Sequence, residues 1–425
     1  MKITSPGTAR WLIVADDLTG AADCAIGFAR RGLAAAVGWG AAAEIDVRFP
    51  VFSYDAASRG LPAAEAAASH RAALARFLDR DGILFKKIDS TLRGQPASEI
   101  AAAMEAVRGR EGRAFGILAP AFPATGRTTE DGRVLVDGRP LEEAEVWRRD
   151  HSYPNADLVE ILATAGIGGV KVPLATVRSG ADTLREAFAG LAARGDVVAV
   201  CDATTGDDLD RIAAASLPAG KPVFFIGSAG LAQALAAAAP GERSDPAVLA
   251  GAAGGTLIVV GSLAGASRAA ARSLAELPGV RYVPADPAIL LDDGAADGRA
   301  ALGRAVIDGL GSGEDVLVEI LTGGEPDLRI GPGLAAGLAD VLHPAASRMG
   351  AFAATGGETA SALLTRFGVS GLRLVDEIEP GVSLGLTLGD VAVPAVTKAG
   401  AFGDQGSLVR IVRRLRSIRN KGVLE

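Results

Sequence analysis

Residues 12–24 read LIVADDLTGAADC, an apolar strand that ends in two adjacent carboxylates and passes through Thr19-Gly20 into a helix of small residues. In an α/β fold such a junction puts its loop beyond the carboxyl ends of the strands, where ligands bind. Asp16 and Asp17 therefore stand at a candidate crevice. Asp17 suits the cap of the following helix, where it would accept backbone N–H bonds while Asp16 finishes the strand. A carboxylate there can also face a substrate hydroxyl and take its proton, kept ionised by a neighbouring cation. Capping and binding are compatible in one pair.

The same strand-then-helix unit recurs outward from this stretch. WLIVA precedes a helix over 20–31, VFS one over 62–78, ILFKKI one over 97–108, and GILAP an irregular stretch. This alternation predicts parallel βαβ units and a doubly wound α/β domain. Between 126 and 140 the pattern breaks into GRTTEDGRVLVDGRP, where VLV precedes Asp137-Gly138, a dipeptide suited to a type I′ hairpin turn. A small β excursion over the crevice is predicted. Alternation resumes with a helix over 181–193, VVAVC, a helix over 206–214, PVFFIG and a helix near 229–238.

Residues 239–254 mix Pro, Gly, Ala and charge without periodicity and read as a linker. A second series starts at TLIVVGS and runs through a helix over 266–276, a strand near 281, a helix over 297–309, DVLVEIL and a helix over 333–341. GAFAATGGET, LRLV, VAVPAVTKAG and a helix over 405–418 complete it. The predicted fold is α/β with two doubly wound domains, 1–240 and 255–425, each with a mainly parallel sheet. The basic end RIVRRLRSIRNK reads as a solvated helix face.

Bulk properties narrow the function. The 425 residues are 49% apolar and 22% charged, with 43 basic against 50 acidic side chains and a net charge of −7, which disfavours nucleic acid. Aromatics at 4% leave few stacking platforms for bases. Cys24 and Cys201 lie far apart, which suggests neither a disulfide framework nor a zinc site and suits a reducing, cytoplasmic setting. No signal core and no run of about 18 apolar residues occurs, so export and membrane spanning are not expected. His70, His151 and His343 show no metal-ligand spacing.

The densest polar run is ILFKKIDSTLRGQPASEI at 83–100. Strand alternation puts Lys87 and Asp89 on one side and Ile88 on the other. Asp89, Ser90, Thr91 and Arg93 then surround a tight turn closed by Gly94. Arg offers a planar fork for a carboxylate and Lys a compact charge, so the set suits a small polyhydroxy acid, although a Ser/Thr helix cap with surface charges is the plainer reading. Arg59, after the strand FPVFS, is a candidate second arginine, and Arg127 and Thr128 are candidate ligand-facing residues in a loop rich in turn formers.

Three glycine-bearing strand ends mark the second half: VVGSLAGAS at 259–267, AATGGETAS at 353–361 and VTKAGAFGDQGS at 396–407. Helix N-termini offer free N–H groups and positive partial charge to phosphate. Neither GxxxxGK[ST] nor a dinucleotide fingerprint is present, so the three loops together favour a nucleotide site of an unfamiliar type.

ADDLTGA, KKIDSTLRG, PAFPATGRTTEDGRVLVDGRPL, TGGET and TKAGAFGD resemble, in order, the signature segments of the four-carbon acid sugar kinases, from about residue 11 to 418. The resemblance implies ATP-dependent phosphorylation of threonate, erythronate or an oxo-tetronate, with an N-terminal substrate domain and a C-terminal nucleotide domain. Substrate contacts would fall on Asp17, Arg59, Lys87, Ile88, Asp89 and Ser90, with Arg93 added by the local reading above. ATP contacts would fall on Ser262 and Ser267, on Gly356, Gly357, Glu358 and Thr359, and on Gly400 and Gly403. Ala264 and Ala399 stand where the family usually carries Ser, and Ser267 where it usually carries Thr. Asp17, with Asp16 and Lys87 beside it, is the candidate for orienting or deprotonating the attacking hydroxyl. Mg²⁺ is expected on the phosphates, with its protein ligands unassigned. The expected partners are a sugar acid and ATP, and a homo-oligomer is compatible with the sequence. A nucleotide-dependent dehydrogenase and a non-catalytic sugar-acid-binding protein are the competing readings.

Overall fold

A strand covered by helices on both faces must be apolar throughout, and WLIVA meets that demand: β1 (Trp11–Ala15) is buried at every position. The computed structural model describes residues 10–40, 49–79, 81–149, 151–239, 249, 252–262, 264–292, 294–321, 330–400 and 402–421. The chain divides into two compact units, Met1–Ser244 and Asp245–Glu425. Residues 240–248 and 250–251, most of the expected linker, lie outside the described residues.

In the first unit β1 is followed by β2 (Ala35–Trp39), β3 (Val51–Asp55), β4 (Ile83–Lys87) and β5 (Phe115–Ala119). An insert of β6 (Arg127–Glu130), β7 (Arg133–Val136) and β8 (Arg139–Pro140) precedes β9 (Gly169–Val172), β10 (Val197–Cys201) and β11 (Val223–Gly227). The strand order is β2-β3-β1-β4-β11-β5-β10-β9, parallel at every pairing. From β1 the chain builds β2 and β3 on one side and β4 on the other. The loops after β1 and β4 therefore diverge, and the topological switch point, the place where ligands bind in such sheets, lies between them at the sheet's carboxyl edge.

The helix Leu18–Arg30 is buried from Leu18 to Phe28, and its small residues permit close packing. A Cβ on Gly27 would stand 3.2 Å from the backbone of Gln233 in the helix Ala229–Ala238. The predicted excursion is an antiparallel three-stranded sheet, β6-β7-β8. Asp137-Gly138 sits at φ 50° and 76°, as a type I′ turn requires. Asp131-Gly132, at φ 49° and 72°, makes a second such turn that the sequence reading passed over. The Asp202 carboxylate, just beyond β10, holds it by accepting both backbone N–H groups at 2.9 Å.

The second unit contains β12 (Gly255–Val260), β13 (Val280–Ala285), β14 (Asp315–Ile320), β15 (Met349–Thr355), β16 (Val369–Glu379), β17 (Val382–Gly389) and β18 (Pro394–Lys398). Their order is β13-β14-β12-β15-β18-β17-β16. Pairing is parallel from β13 to β18 and antiparallel through β17 and β16. The expected parallel sheet thus carries an antiparallel ribbon, of which LRLV was only a fragment. SLGLTLG hides its strand character because Gly385 lies where a Cβ would come 2.6 Å from the Arg373 carbonyl. The switch point falls between β12 and β15.

The helix Ser407–Lys421 seats Leu408, Ile411, Val412, Leu415 and Ile418 in the core. Its basic residues correct the solvated-face reading. Arg416 and Arg419 reach the buried Asp315 at 2.5 and 2.8 Å, while Arg410 pairs with Glu379. Among the described residues no helix is long and apolar enough to cross a membrane, and Cys24 and Cys201 are free and buried.

Candidate active site

The parallel register brings the ends of β1, β3 and β4 level: Ala15 lies beside Asp55, and Val14 beside Lys86. Asp16 and Asp17 leave β1 as Ser58 and Arg59 leave the loop after β3. The Asp16 carbonyl accepts both the Ser58 and the Arg59 N–H. Arg59 forks onto Asp16 through Nε at 2.7 Å and Nη2 at 3.0 Å, and its Nη1 reaches Asp17 at 2.6 Å. Its Nη2 also stands 3.4 Å from Asp89 Oδ1. Asp89 accepts a second fork from Arg93, at 3.0 and 2.8 Å, together with the Thr91 N–H at 3.1 Å and the Thr91 hydroxyl.

The two opening aspartates separate clearly. The Asp16 side chain is 1% exposed and both of its oxygens face Arg59, so it anchors the guanidinium rather than meeting a ligand. The Asp17 side chain is 13% exposed. It caps the helix by accepting Gly20 N–H at 2.8 Å and also takes the Thr19 hydroxyl at 2.8 Å. Capping and crevice exposure coexist in that one carboxylate. Arg59 and Arg93, both expected at the substrate, each hold carboxylates of the cluster. Ser90 is buried, and the buried Ile88 donates its N–H to the Gly227 carbonyl.

Lys87 differs from its neighbours. It is 4% exposed, and among the described residues its ammonium makes no hydrogen bond or ion pair within 4.0 Å. Burial would push it down, but Asp16 foremost and then other neighbours over-compensate and hold it above the usual lysine value. Burial likewise opposes ionisation of Asp16 and Asp89. Arg59 with Lys87 overrides it at Asp16, and Arg93 with Arg59 at Asp89, so both carboxyls sit well below the usual carboxylate range.

Behind the crevice, Glu99 accepts Ser58 Oγ at 2.7 Å and pairs with Lys86 at 2.9 Å, all three being buried. Lys86 also donates to the Lys87 carbonyl, so one ion pair braces both loops. Asp55, which the sequence reading missed, ends β3; burial pushes it up to about 7, opposed by the Ala57 N–H. Nothing local distinguishes it from any polar strand end. Ala57 at φ 50° and Leu92 at φ 59° put non-glycine residues in the left-handed region, in the two loops carrying Arg59 and Arg93.

Tight spaces explain two glycines. At Gly94, φ 78°, a Cβ would stand 3.2 Å from Asp16 Oδ2. At Gly20 it would lie 2.6 Å from Asp17 Oδ1 and 2.9 Å from Lys87 Nζ. Gly20→Ala is expected to displace both groups and lower kcat/KM by about tenfold, because sub-ångström misplacement of reacting groups is costly. Steady-state kinetics would check it, and an unchanged kcat/KM would show that the two side chains can shift freely.

In the second unit the three glycine loops converge beyond β12, β15 and β18. A Cβ on Gly261 would meet Thr359 Oγ1 at 2.1 Å, and one on Gly400 would meet Ser262 Oγ at 2.2 Å. Ser267 donates to the Gly400 carbonyl at 2.9 Å, and Gly356, at φ 91°, opens the helix Gly357–Arg366. Glu358 is half-buried, and burial raises its carboxyl. Gly403, at φ 79°, approaches Ser407 and Glu379. Leu263 and Ala401, within the first and third loops, lie outside the described residues. Among the described residues no three His, Cys, Asp or Glu side chains form a metal cage.

The sequence matches two known families in tandem. A sugar-binding N-terminal domain covers residues 11–235 and a nucleotide-binding C-terminal domain covers residues 257–408. A D-threonate kinase of Cupriavidus necator is 44% identical over 94% of this chain and 96% of its own. A 3-oxo-tetronate kinase of Methylobacterium radiotolerans is 30% identical over 92% of this chain and 95% of its own. A crystal structure from Salmonella typhimurium LT2 shares the fold, at TM-score 0.78 and 22% identity over 96% of this chain and 99% of that one.

Proposed function

The chain belongs to the four-carbon acid sugar kinase family, and from that premise we propose that D-threonate is its acceptor and Mg-ATP its phosphoryl donor. It is a sugar-acid kinase, an enzyme that phosphorylates a hydroxyl of a four-carbon sugar acid. The dehydrogenase and sensor readings yield to that membership. The identity of 44% to a D-threonate kinase supports the choice of acid, and the cysteine pattern supports a cytoplasmic site of action.

The observation that carries the reading is Lys87, a buried residue whose ammonium has no hydrogen-bond partner among the described residues and lies beside the exposed edge of Asp17. An ammonium on a buried stem with no protein acceptor has all three donors to offer a ligand. Lys87 seats the carboxylate or a hydroxyl of the sugar acid, while Asp17 orients the attacking hydroxyl and receives its proton. Asp16 and Arg59 fix Asp17, and Arg93 fixes Asp89. Phosphoryl transfer relies mostly on positioning and electrostatics, which such a fixed lattice provides. The described residues offer no carboxylate cage, so Mg²⁺ would come with the nucleotide phosphates, where it would supply neutralisation of the charge developing on the transferred group.

ADP release measured over D-threonate, D-erythronate and the 3-oxo-tetronates is the direct test. D-Threonate is expected to give the highest kcat/KM, and no turnover of it with Mg-ATP would sink the assignment. Lys87→Met is expected to raise KM for the sugar acid roughly 10- to 100-fold, the worth of a charge-assisted hydrogen bond, with KM for ATP little changed. Equal sugar-acid KM values in the two proteins would remove Lys87 from the contact.

A further inference from the structure

Lys398 ends β18 and is 1% exposed. Its carbonyl accepts the Gly356 N–H at 3.0 Å, and its ammonium donates to Ser267 Oγ at 3.4 Å and to the Ala399 carbonyl at 3.2 Å, just before Gly400. One residue thus touches all three glycine loops. Both of those acceptors are neutral and distant, and among the described residues no carboxylate stands within 4.0 Å of the ammonium. The acids whose charge it feels, Glu379 and Asp404, are held by Arg410 at 2.5 and 2.9 Å.

A buried cation with neutral partners is costly unless an anion completes it. The helices Gly265–Ala275 and Gly357–Arg366 start in the same loops and present free N–H groups there. We propose that Lys398 is the phosphate-recognising cation of the nucleotide site, pairing with an oxygen of a nucleoside di- or triphosphate held over the three loops. The ligand supplies the counter-charge that the protein withholds. Ser267 keeps the ammonium in place until then, and Ala399 leaves no hydroxyl to compete for it. This assignment rests on the kinase reading above and names a residue that performs it.

Burial pushes the Lys398 ammonium down to about 8, with Glu379 and Asp404 opposing. It is charged below that pH and loses its proton above it. The groups facing it are Ser267, Glu379 and Asp404, with Arg410 beyond them.

Calorimetric titration of the full chain with ADP and Mg²⁺, and separately with D-threonate, tests the proposal on Lys398→Met and Lys398→Arg. Lys398→Met is expected to weaken ADP binding at least about tenfold and leave D-threonate binding within about twofold. Its melting temperature without ligand should equal or exceed that of the wild type, since removing a buried charge relieves desolvation. Wild-type ADP affinity should fall as pH rises through about 8, while Lys398→Arg, which keeps its charge, should retain binding and stay flat. ADP affinity within twofold of wild type in Lys398→Met would overturn the assignment alone. A wild-type chain that binds D-threonate but no ADP would overturn the kinase reading beneath it as well.

Discussion

Asp17→Asn is expected to lower kcat about 10²- to 10⁴-fold, the usual contribution of a positioned acid–base group, with KM for ATP within a factor of about two. The substitution isolates charge from structure. Asparagine is as good an N-cap as aspartate, so its side-chain oxygen can keep the Gly20 N–H that Asp17 accepts at 2.8 Å. Its amide cannot accept Thr19, Arg59 and an incoming hydroxyl together, and it cannot take a proton. Melting temperature should fall modestly, through the lost Arg59 pair, while turnover collapses. A kcat within twofold of wild type would mean that the hydroxyl is activated elsewhere in the crevice.

Arg59→Met is expected to cost about 3–5 kcal/mol of stability and to abolish measurable turnover, because it strands charges that the fold has buried. Arg59 is the shared partner of Asp16 and Asp17 and approaches Asp89 at 3.4 Å. Asp16, almost fully buried, would keep only the influence of Lys87 and Lys86 against its desolvation. Urea unfolding at pH 7 reads the loss. The pH dependence supplies a signature. In the wild type the depressed Asp16 and Asp89 carboxyls contribute stability that is present above the unfolded value of about 4 and lost as pH falls through the folded values. Arg59→Met should lack most of the Asp16 part, so the difference between the two proteins should shrink in acid. A constant difference from pH 7 to pH 3 would show that packing, not charge, sets the cost.

The sequence made the crevice legible because strand ends in parallel sheets are where polar residues collect. LIVADD and ILFKKID each announce such an end, and the structure sets them side by side through adjacent β1 and β4. The three glycine loops were legible for the same reason. What stayed hidden was which charge answers which. Nothing in the spacing says that Arg59 would clamp Asp16, that Lys86 would turn to the opposite side and meet Glu99, or that Lys87 would find no acceptor among the described residues. Those pairings depend on residues brought together from distances of tens of positions. The strands AAVGW and SLGLTLG were missed because alanine and glycine weaken the alternation that marks a strand, and their burial comes only from tertiary packing.

The charges around the crevice have a kinetic consequence. Asp16, Asp17 and Asp89 stand against Arg59, Lys87 and Arg93, with Arg127 and Asp55 close enough to feel them, so most of the formal charge is offset within the cluster, on a chain whose net charge is −7. Such an array casts little field into solvent, and a net charge of −7 does not draw anions inward. A small acid is therefore captured by ordinary diffusion and by fit at short range. Discrimination falls to the shape of the acceptors and donors it meets on arrival, and the rate of encounter should rise slightly with salt, as repulsion between an anionic acid and the net-negative chain is screened.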